Sequence, residues 1–179
     1  MKKTITIFGS SLPTNNDEQY FIAYSLGKKL ALSGFNVCTG GFFGIMEATS
    51  KGAVENGGEA IGVTVNFWQA NPNKYLTKEI KCSSLFERIN KLIELGDGFI
   101  VLRGGTGTLL ELAAVWESSN KGLIDHKPIA CHSSIWEKIV SEMNQQMKLE
   151  GRKSDLVKTF DTIEEIVSYL KEVLPQKDQ

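Results

Sequence analysis

Asp97-Gly98-Phe99-Ile100-Val101-Leu102-Arg103-Gly104-Gly105-Thr106-Gly107-Thr108-Leu109-Leu110-Glu111 carries the decision about the fold. It opens on a short apolar run, Gly98 to Leu102, suited to a strand buried on both faces. It breaks at a cluster of glycines and threonines, then enters a helical pattern from Thr108 to Ser118. A strand that passes through a glycine turn straight into a helix is half of a βαβ unit, the building block of parallel sheets.

Outward from this run the same alternation repeats. The pattern predicts strands at Thr4 to Phe8, Phe35 to Cys38, Ala60 to Val65, Pro128 to Cys131 and Leu156 to Thr159. Helices are expected at Asp17 to Leu32, Ile45 to Glu55, Leu85 to Leu95, Ile135 to Lys148 and Thr162 to Val173. The expected fold is α/β: a Rossmann-like, doubly wound parallel sheet in three layers, forming a single domain over residues 1–174, with 175–179 a fraying polar tail. One polar stretch, Asn66 to Lys81, breaks the rhythm and contains Phe67, Trp68, Asn71-Pro72-Asn73 and Tyr75. It reads either as a binding loop or lid, or as a surface excursion whose aromatics cover the core.

Composition narrows the class. The 179 residues suit one core, and 41% hydrophobic with 23% charged residues is ordinary for a globular chain. Lys plus Arg number 20 against 21 Asp plus Glu, so the net charge of -1 exerts no general pull on nucleic acid or an anionic membrane. The run after Met1-Lys2-Lys3 is too short and too alternating for a signal segment, and no stretch approaches the roughly 20 apolar residues of a membrane span. Cys38, Cys82 and Cys131 are odd in number and widely spaced, so neither a disulfide framework nor a metal site is indicated; a reducing cytoplasm is the simplest expectation.

Three loops that follow strands are built from small residues: Gly9-Ser10-Ser11, Gly40-Gly41 with Gly44 beyond, and Gly104-Gly105-Thr106-Gly107-Thr108. In an open parallel sheet such loops share the carboxyl edge, where ligands bind. Glycine lets the backbone approach a ligand, and the helix start that follows offers N–H donors and partial positive charge to an anion. None is a GxGxxG or a GxxxxGK[ST], so a mononucleotide-sized phosphorylated ligand fits better than a dinucleotide or triphosphate. Tight strand-to-helix connections also need glycine for packing alone, which is the competing reading for Gly40-Gly41.

Two residues could do chemistry on that edge. Glu111 sits in a helix, Leu109 to Trp116, that is apolar on nearly every face, and a carboxylate with no solvated face to occupy is a catalytic candidate. Thr108-x-x-Glu111 reads equally as a capping box. Arg88 lies at the margin of the stripe Leu85, Ile89, Leu92 and Ile93, where its guanidinium either reaches a carboxylate or phosphate or snorkels to solvent. His132 lacks an evident partner, and His126 and Asp97 fall at the opposite edge.

The run ending at Glu111 strongly resembles the PGGxGTxxE signature of the LOG ("lonely guy") family, cytokinin riboside 5′-monophosphate phosphoribohydrolases whose relatives are often labelled "possible lysine decarboxylase". Gly9-Ser10-Ser11 resembles the family's first-strand GSS, and Gly40-Gly41-x-x-Gly44-Ile45-Met46 its GG and GxM elements. The resemblance spans about Ile5 to Pro128. It implies a homodimer that hydrolyses the N-glycosidic bond of a nucleoside 5′-monophosphate without metal or redox cofactor, with Glu111 and Arg88 catalytic. It also implies ligand contacts from Gly9, Ser10, Ser11, Gly40, Gly41, Gly44, Met46 and Gly104 to Thr108. The decarboxylase label lacks a site for a pyridoxal Schiff-base lysine. Two departures stand out: Arg103 replaces the motif's proline, and Ile89 replaces a lysine after Arg88. They leave open the alternative of a non-catalytic nucleotide or molybdenum-cofactor carrier of the same superfamily.

Overall fold

The computed structural model describes residues 2–66, 71–125 and 127–175. In chain order the elements are β1 (Thr4–Phe8), α1 (Glu18–Leu32), β2 (Asn36–Thr39), α2 (Ile45–Val54), β3 (Ala60–Val65), β4 (Lys78–Cys82), α3 (Leu85–Leu95), β5 (Gly98–Val101), α4 (Thr106–Asn120), β6 (Ile129–His132), α5 (Ser134–Leu149), β7 (Val157–Phe160) and α6 (Ile163–Val173). All strand pairs are parallel, in the order β4-β3-β2-β1-β5-β6-β7. The chain walks outward from β1 to β4, returns to lay β5 on the other side of β1, and walks outward again. The β1/β5 boundary is therefore the topological switch point, whose carboxyl end is where open α/β sheets hold ligands.

Alternating strand residues feed two cores, which produces the three layers. Ile5, Ile7, Ile100 and Leu102 pack with α1, α2 and α6, while Phe8, Phe99, Val101 and Cys131 pack with α3, α4 and α5. All three cysteines are free and buried, and among the described residues no helix is long and apolar enough to cross a membrane.

Two expectations are corrected. The stretch Asn66 to Lys81 is not loop throughout: Lys78–Cys82 forms the edge strand β4, paired with β3 from Ile61↔Lys78 to Val65↔Cys82. Its alternating lysine and glutamate hid it, because charged side chains are what a sheet edge carries to block further pairing. Phe67 and Trp68 lie outside the described residues. Nor is α4 buried all round: Leu112, Val115 and Trp116 face the core, but Leu109 is 39% exposed and Ala113 is exposed as well.

Helices α1 and α2 meet backbone to backbone. A Cβ on Gly52 would stand 2.9 Å from the Tyr24 carbonyl carbon and 3.0 Å from the Lys28 nitrogen, and one on Gly27 would meet Thr49 and Ala53 in the same way. This contact fixes where α2, and hence the turn before it, sits on the sheet. Gly52→Val is expected to lose about 3 kcal/mol in urea unfolding by overpacking, and an unchanged midpoint would mean that the helices separate freely.

Candidate active site

Backbone bonds tie the glycine turns together at the carboxyl edge. Ser10 donates its N–H to the Arg103 carbonyl at 3.0 Å, and its own carbonyl accepts the Ile45 N–H at 2.9 Å. Close approach needs glycine at two flanking points. A Cβ on Gly9 would stand 2.6 Å from Ile45 Cγ2, and Gly44, at φ +68°, faces the Ser10 carbonyl and Ser11. Beside this seam lies a cavity of about 470 Å³ lined by Ser10, Leu12, Asp17, Arg103, Gly104 and Gly105.

Helix α4 starts in that seam. Its N-cap is Gly105, with no side-chain cap, and its first backbone bond runs from Leu109 N–H to the Gly105 carbonyl. The N–H groups of Thr106, Gly107 and Thr108 precede that bond, so they are the helix's outward-facing donors. The capping-box reading of Thr108 and Glu111 is thereby corrected: Thr108 is inside the helix, buried, with its side chain turned back onto Gly104. The genuine capping box is Thr162 with Glu165 on α6.

Arg88 is not a snorkelling residue. On α3, whose start is capped by Ser84 Oγ accepting the Glu87 N–H, its side chain is 5% exposed. Nε donates to the Val63 carbonyl at 2.8 Å, Nη2 lies 4.0 Å from Met46 Sδ, and Nη1 lies 3.4 Å from Glu111 Oε1. The Gly40 turn and α4 cover the guanidinium at the stripe margin, so position on the helix alone misjudged it. A Cβ on Gly40 would coincide with Arg88 Nη2, which makes that glycine the space in which the guanidinium lies.

Glu111 keeps 13% side-chain exposure, and Arg88 is its hydrogen-bond partner among the described residues. Burial drives its pKa up to about 7, against the opposing pull of Arg88. Burial likewise lowers the Arg88 pKa, and the Glu111 charge counters it. A poorly hydrated carboxylate near neutrality, held by one long contact, is poised to gain or lose a proton or to face developing positive charge.

Residues 2–163 match the family described as SLOG cluster4. The chain belongs to the LOG family, in that group. It is 30% identical over 125 residues to a cytokinin riboside 5′-monophosphate phosphoribohydrolase of Rhodococcoides fascians, a match covering 68% of this chain and 63% of that protein. A probable enzyme of the same name from Oryza sativa subsp. japonica is 28% identical over 99% of this chain and 87% of its own. The molybdenum cofactor carrier protein of Chlamydomonas reinhardtii superposes with a TM-score of 0.78 at 23% identity, over 98% of this chain and 100% of that one, a likeness of fold.

In this SLOG cluster4 protein the glycines of the motifs divide by what needs them. Gly9, Gly40, Gly41, Gly44 and Gly104 each have chain atoms where a Cβ would stand, and Gly41 and Gly44 have positive φ. Gly105 and Gly107 have neither: a Cβ at each meets nothing within 4 Å. Packing within the chain places no steric demand for glycine at either position. Arg103 contributes its carbonyl to the Ser10 bond and its exposed side chain to the cavity. His132 is set apart, with Nε2 at 3.1 Å from the Asp161 carbonyl. Asp97 serves the opposite edge by accepting the Thr4 N–H, and His126 lies outside the described residues. The Val63 carbonyl, which accepts the Arg88 Nε–H, carries no sequence signal because any residue supplies one.

The pair's electrostatics can be read directly. In carboxyl-labelled protein followed by NMR, the Glu111 signal is expected to titrate near pH 7. In Arg88→Met the midpoint should move up by about one pH unit or more, since a cation favouring the ionised form is gone. Titration in the ordinary carboxylate range would mean that Glu111 is well hydrated.

Proposed function

We propose that this protein hydrolyses the N-glycosidic bond of a nucleoside 5′-monophosphate, releasing free base and ribose 5-phosphate. The observation that carries the reading is the buried Arg88–Glu111 pair one helical turn beyond the open, anion-receiving start of α4. In this mechanism the 5′-phosphate sits on the N–H groups of Thr106, Gly107 and Thr108 and on the Thr106 hydroxyl, with the Gly9-Ser10-Ser11 turn alongside. Glu111 follows Thr108 by about 4.5 Å along the helix, so a sugar anchored by its phosphate lies across the carboxylate. Cleavage of the bond builds oxocarbenium character at the anomeric carbon; ionised Glu111 stabilises that charge and orients the attacking water. Arg88, fixed by Val63, holds Glu111 in place. The LOG relatives named as phosphoribohydrolases support the same chemistry, and the cofactor carrier of like fold defines the rival outcome.

Incubation with a panel of nucleoside monophosphates, with chromatography of the free base, tests the proposal. Base release is the expected result, and tight binding with no release would make the protein a carrier. Glu111→Gln, which keeps size and removes charge, should lower release by about 100-fold with affinity little changed. Gly105→Val and Gly107→Val should weaken nucleotide binding in folded protein, since both side chains would fill the space left for the anion.

The pH dependence has a definite sign. Glu111 acts ionised, so kcat/KM should rise with pH through about 7 and level off above it. A bound phosphate adds negative charge and favours protonated Glu111, so the midpoint of kcat should lie higher than that of kcat/KM. A rate falling through the same range would give Glu111 the role of a general acid instead.

We further propose a homodimer. Leu109 and Ala113 on α4 and Phe86, 68% exposed on α3, are apolar side chains that a second copy would cover. Light scattering at micromolar concentration should return twice the chain mass, and a monomer mass would refute it.

A further inference from the structure

The segment that leads into β4 is fastened to the glycine turn that houses Arg88 through one residue, Asn73, by its backbone N–H and its side-chain amide. Asn73 is 4% exposed. Its amide Nδ2 donates to the Gly41 carbonyl at 3.2 Å and to the Phe42 carbonyl at 2.9 Å. Its backbone N–H donates to the same Gly41 carbonyl at 2.9 Å, and its Oδ1 accepts the Tyr75 N–H at 3.1 Å. Both amide hydrogens and the amide oxygen are thus engaged, which in a buried amide is the condition for its being tolerated at all. Neither an aspartate carboxylate nor an aliphatic side chain has a hydrogen to give the two carbonyls, so either would lose both amide bonds and keep only the backbone N–H on Gly41.

These carbonyls belong to the turn whose preceding residue, Gly40, leaves the room taken by Arg88 Nη2. Gly41, at φ +79°, is held from the other side by its N–H to Thr39 Oγ1 at 3.1 Å and lies against Gly62 and Thr64. Leu76, three residues after Asn73, covers Gly62 where a Cβ would otherwise stand. The wall beside the guanidinium is thus fixed by β2 within and by the 71–77 segment without. Deprived of the amide, the turn keeps the Asn73 backbone N–H on Gly41 but loses two of the three hydrogen bonds Asn73 gives it, so the wall against which the guanidinium packs is held less firmly.

We infer that Asn73 is a positioning residue: by closing the Gly41 and Phe42 carbonyls it holds the second glycine turn so that Arg88 stays on Val63 and Glu111. It touches no substrate atom, and its effect on the reaction passes through Arg88. The activity consequence rests on the hydrolase reading above; the structural consequence does not.

The test therefore begins on unliganded protein. The Arg88 Nε–H, bonded to a buried carbonyl, should give a protected proton–nitrogen NMR signal at neutral pH, identified by its loss in Arg88→Lys. In Asn73→Ala its solvent exchange should accelerate by about tenfold or more, with Asn73→Ser, which retains one donor, intermediate. The serine variant also serves if the alanine variant does not fold. In base-release assays the same variants should lose kcat by about tenfold with KM little changed. Wild-type exchange of the Arg88 signal in either folded variant would overturn the inference, even if the melting temperature falls, because Asn73 would then be a structural anchor alone. If the wild type releases no base, the hydrolase reading fails while the exchange measurement still decides the role of Asn73.

Discussion

The backbone of one residue, Ser10, organises the carboxyl edge. Ser10 gives its N–H to Arg103 and takes the N–H of Ile45, so the turns after β1, β5 and β2 are drawn together by two backbone bonds. That seam exists because the chain reverses direction across the sheet at β1 and β5, which leaves a crevice no crossover helix fills. Side chains can be exchanged around it, but the close approach cannot, since Ile45 would strike a Cβ at Gly9 and Ser11 one at Gly44. The small residues of the first two turns are conditions of the architecture before they are anything else, and the α4 start inherits its open position from them.

The fold has no comparable need for Arg88 and Glu111. Taking two charges out of water costs several kcal/mol for each ion, and a contact at 3.4 Å through one oxygen is a poor return. Well-packed apolar residues of the same volume would serve stability as well or better. What the pair gives is a carboxylate whose proton is in balance near neutrality and a guanidinium locked by the backbone at Val63. A costly ion pair joined by one 3.4 Å contact at the crevice of an otherwise ordinary sheet fits the reacting centre proposed above better than it fits a stabilising core.

The sequence was informative where local chemistry and global fold agree. Short β-branched and apolar runs alternating with helical patterns announced six of the strands and every helix described, three of the strands ending in a glycine turn. It misled where a residue's environment comes from distant parts of the chain. Lys78 to Cys82 lacks the apolar signal because its strand is an edge, and only pairing with β3 makes it one. Arg88 looked marginal on its own helix, and the cover that buries it comes from Gly40, some fifty positions earlier, and Glu111, twenty-three later. The Thr108-x-x-Glu111 spacing mimicked a cap because a capping box and a turn-spaced polar pair are identical in sequence, and only the start of the helix at Gly105 tells them apart. Likewise the glycines of the motif look alike as letters, yet Gly104 answers to Thr108 while Gly105 and Gly107 answer to nothing in the chain.

The proposed chemistry places two negative groups within one helical turn, and the structure supplies the means to keep both. A phosphate monoester carries about −1.5 to −2 charge at pH 7, which disfavours an ionised carboxylate nearby. The α4 N–H donors absorb much of that charge at the helix start, where the dipole favours an anion and its effect fades within a turn. Glu111 lies just past that range, so the dipole cannot be what keeps it ionised. Arg88 is the compensating cation there, and because its Nε is bonded to Val63 it cannot swing out to follow the phosphate as a free surface arginine would. Separate partners for separate charges, one made of backbone and one of a fixed side chain, let the anchor bind tightly without neutralising the group that the reaction needs charged.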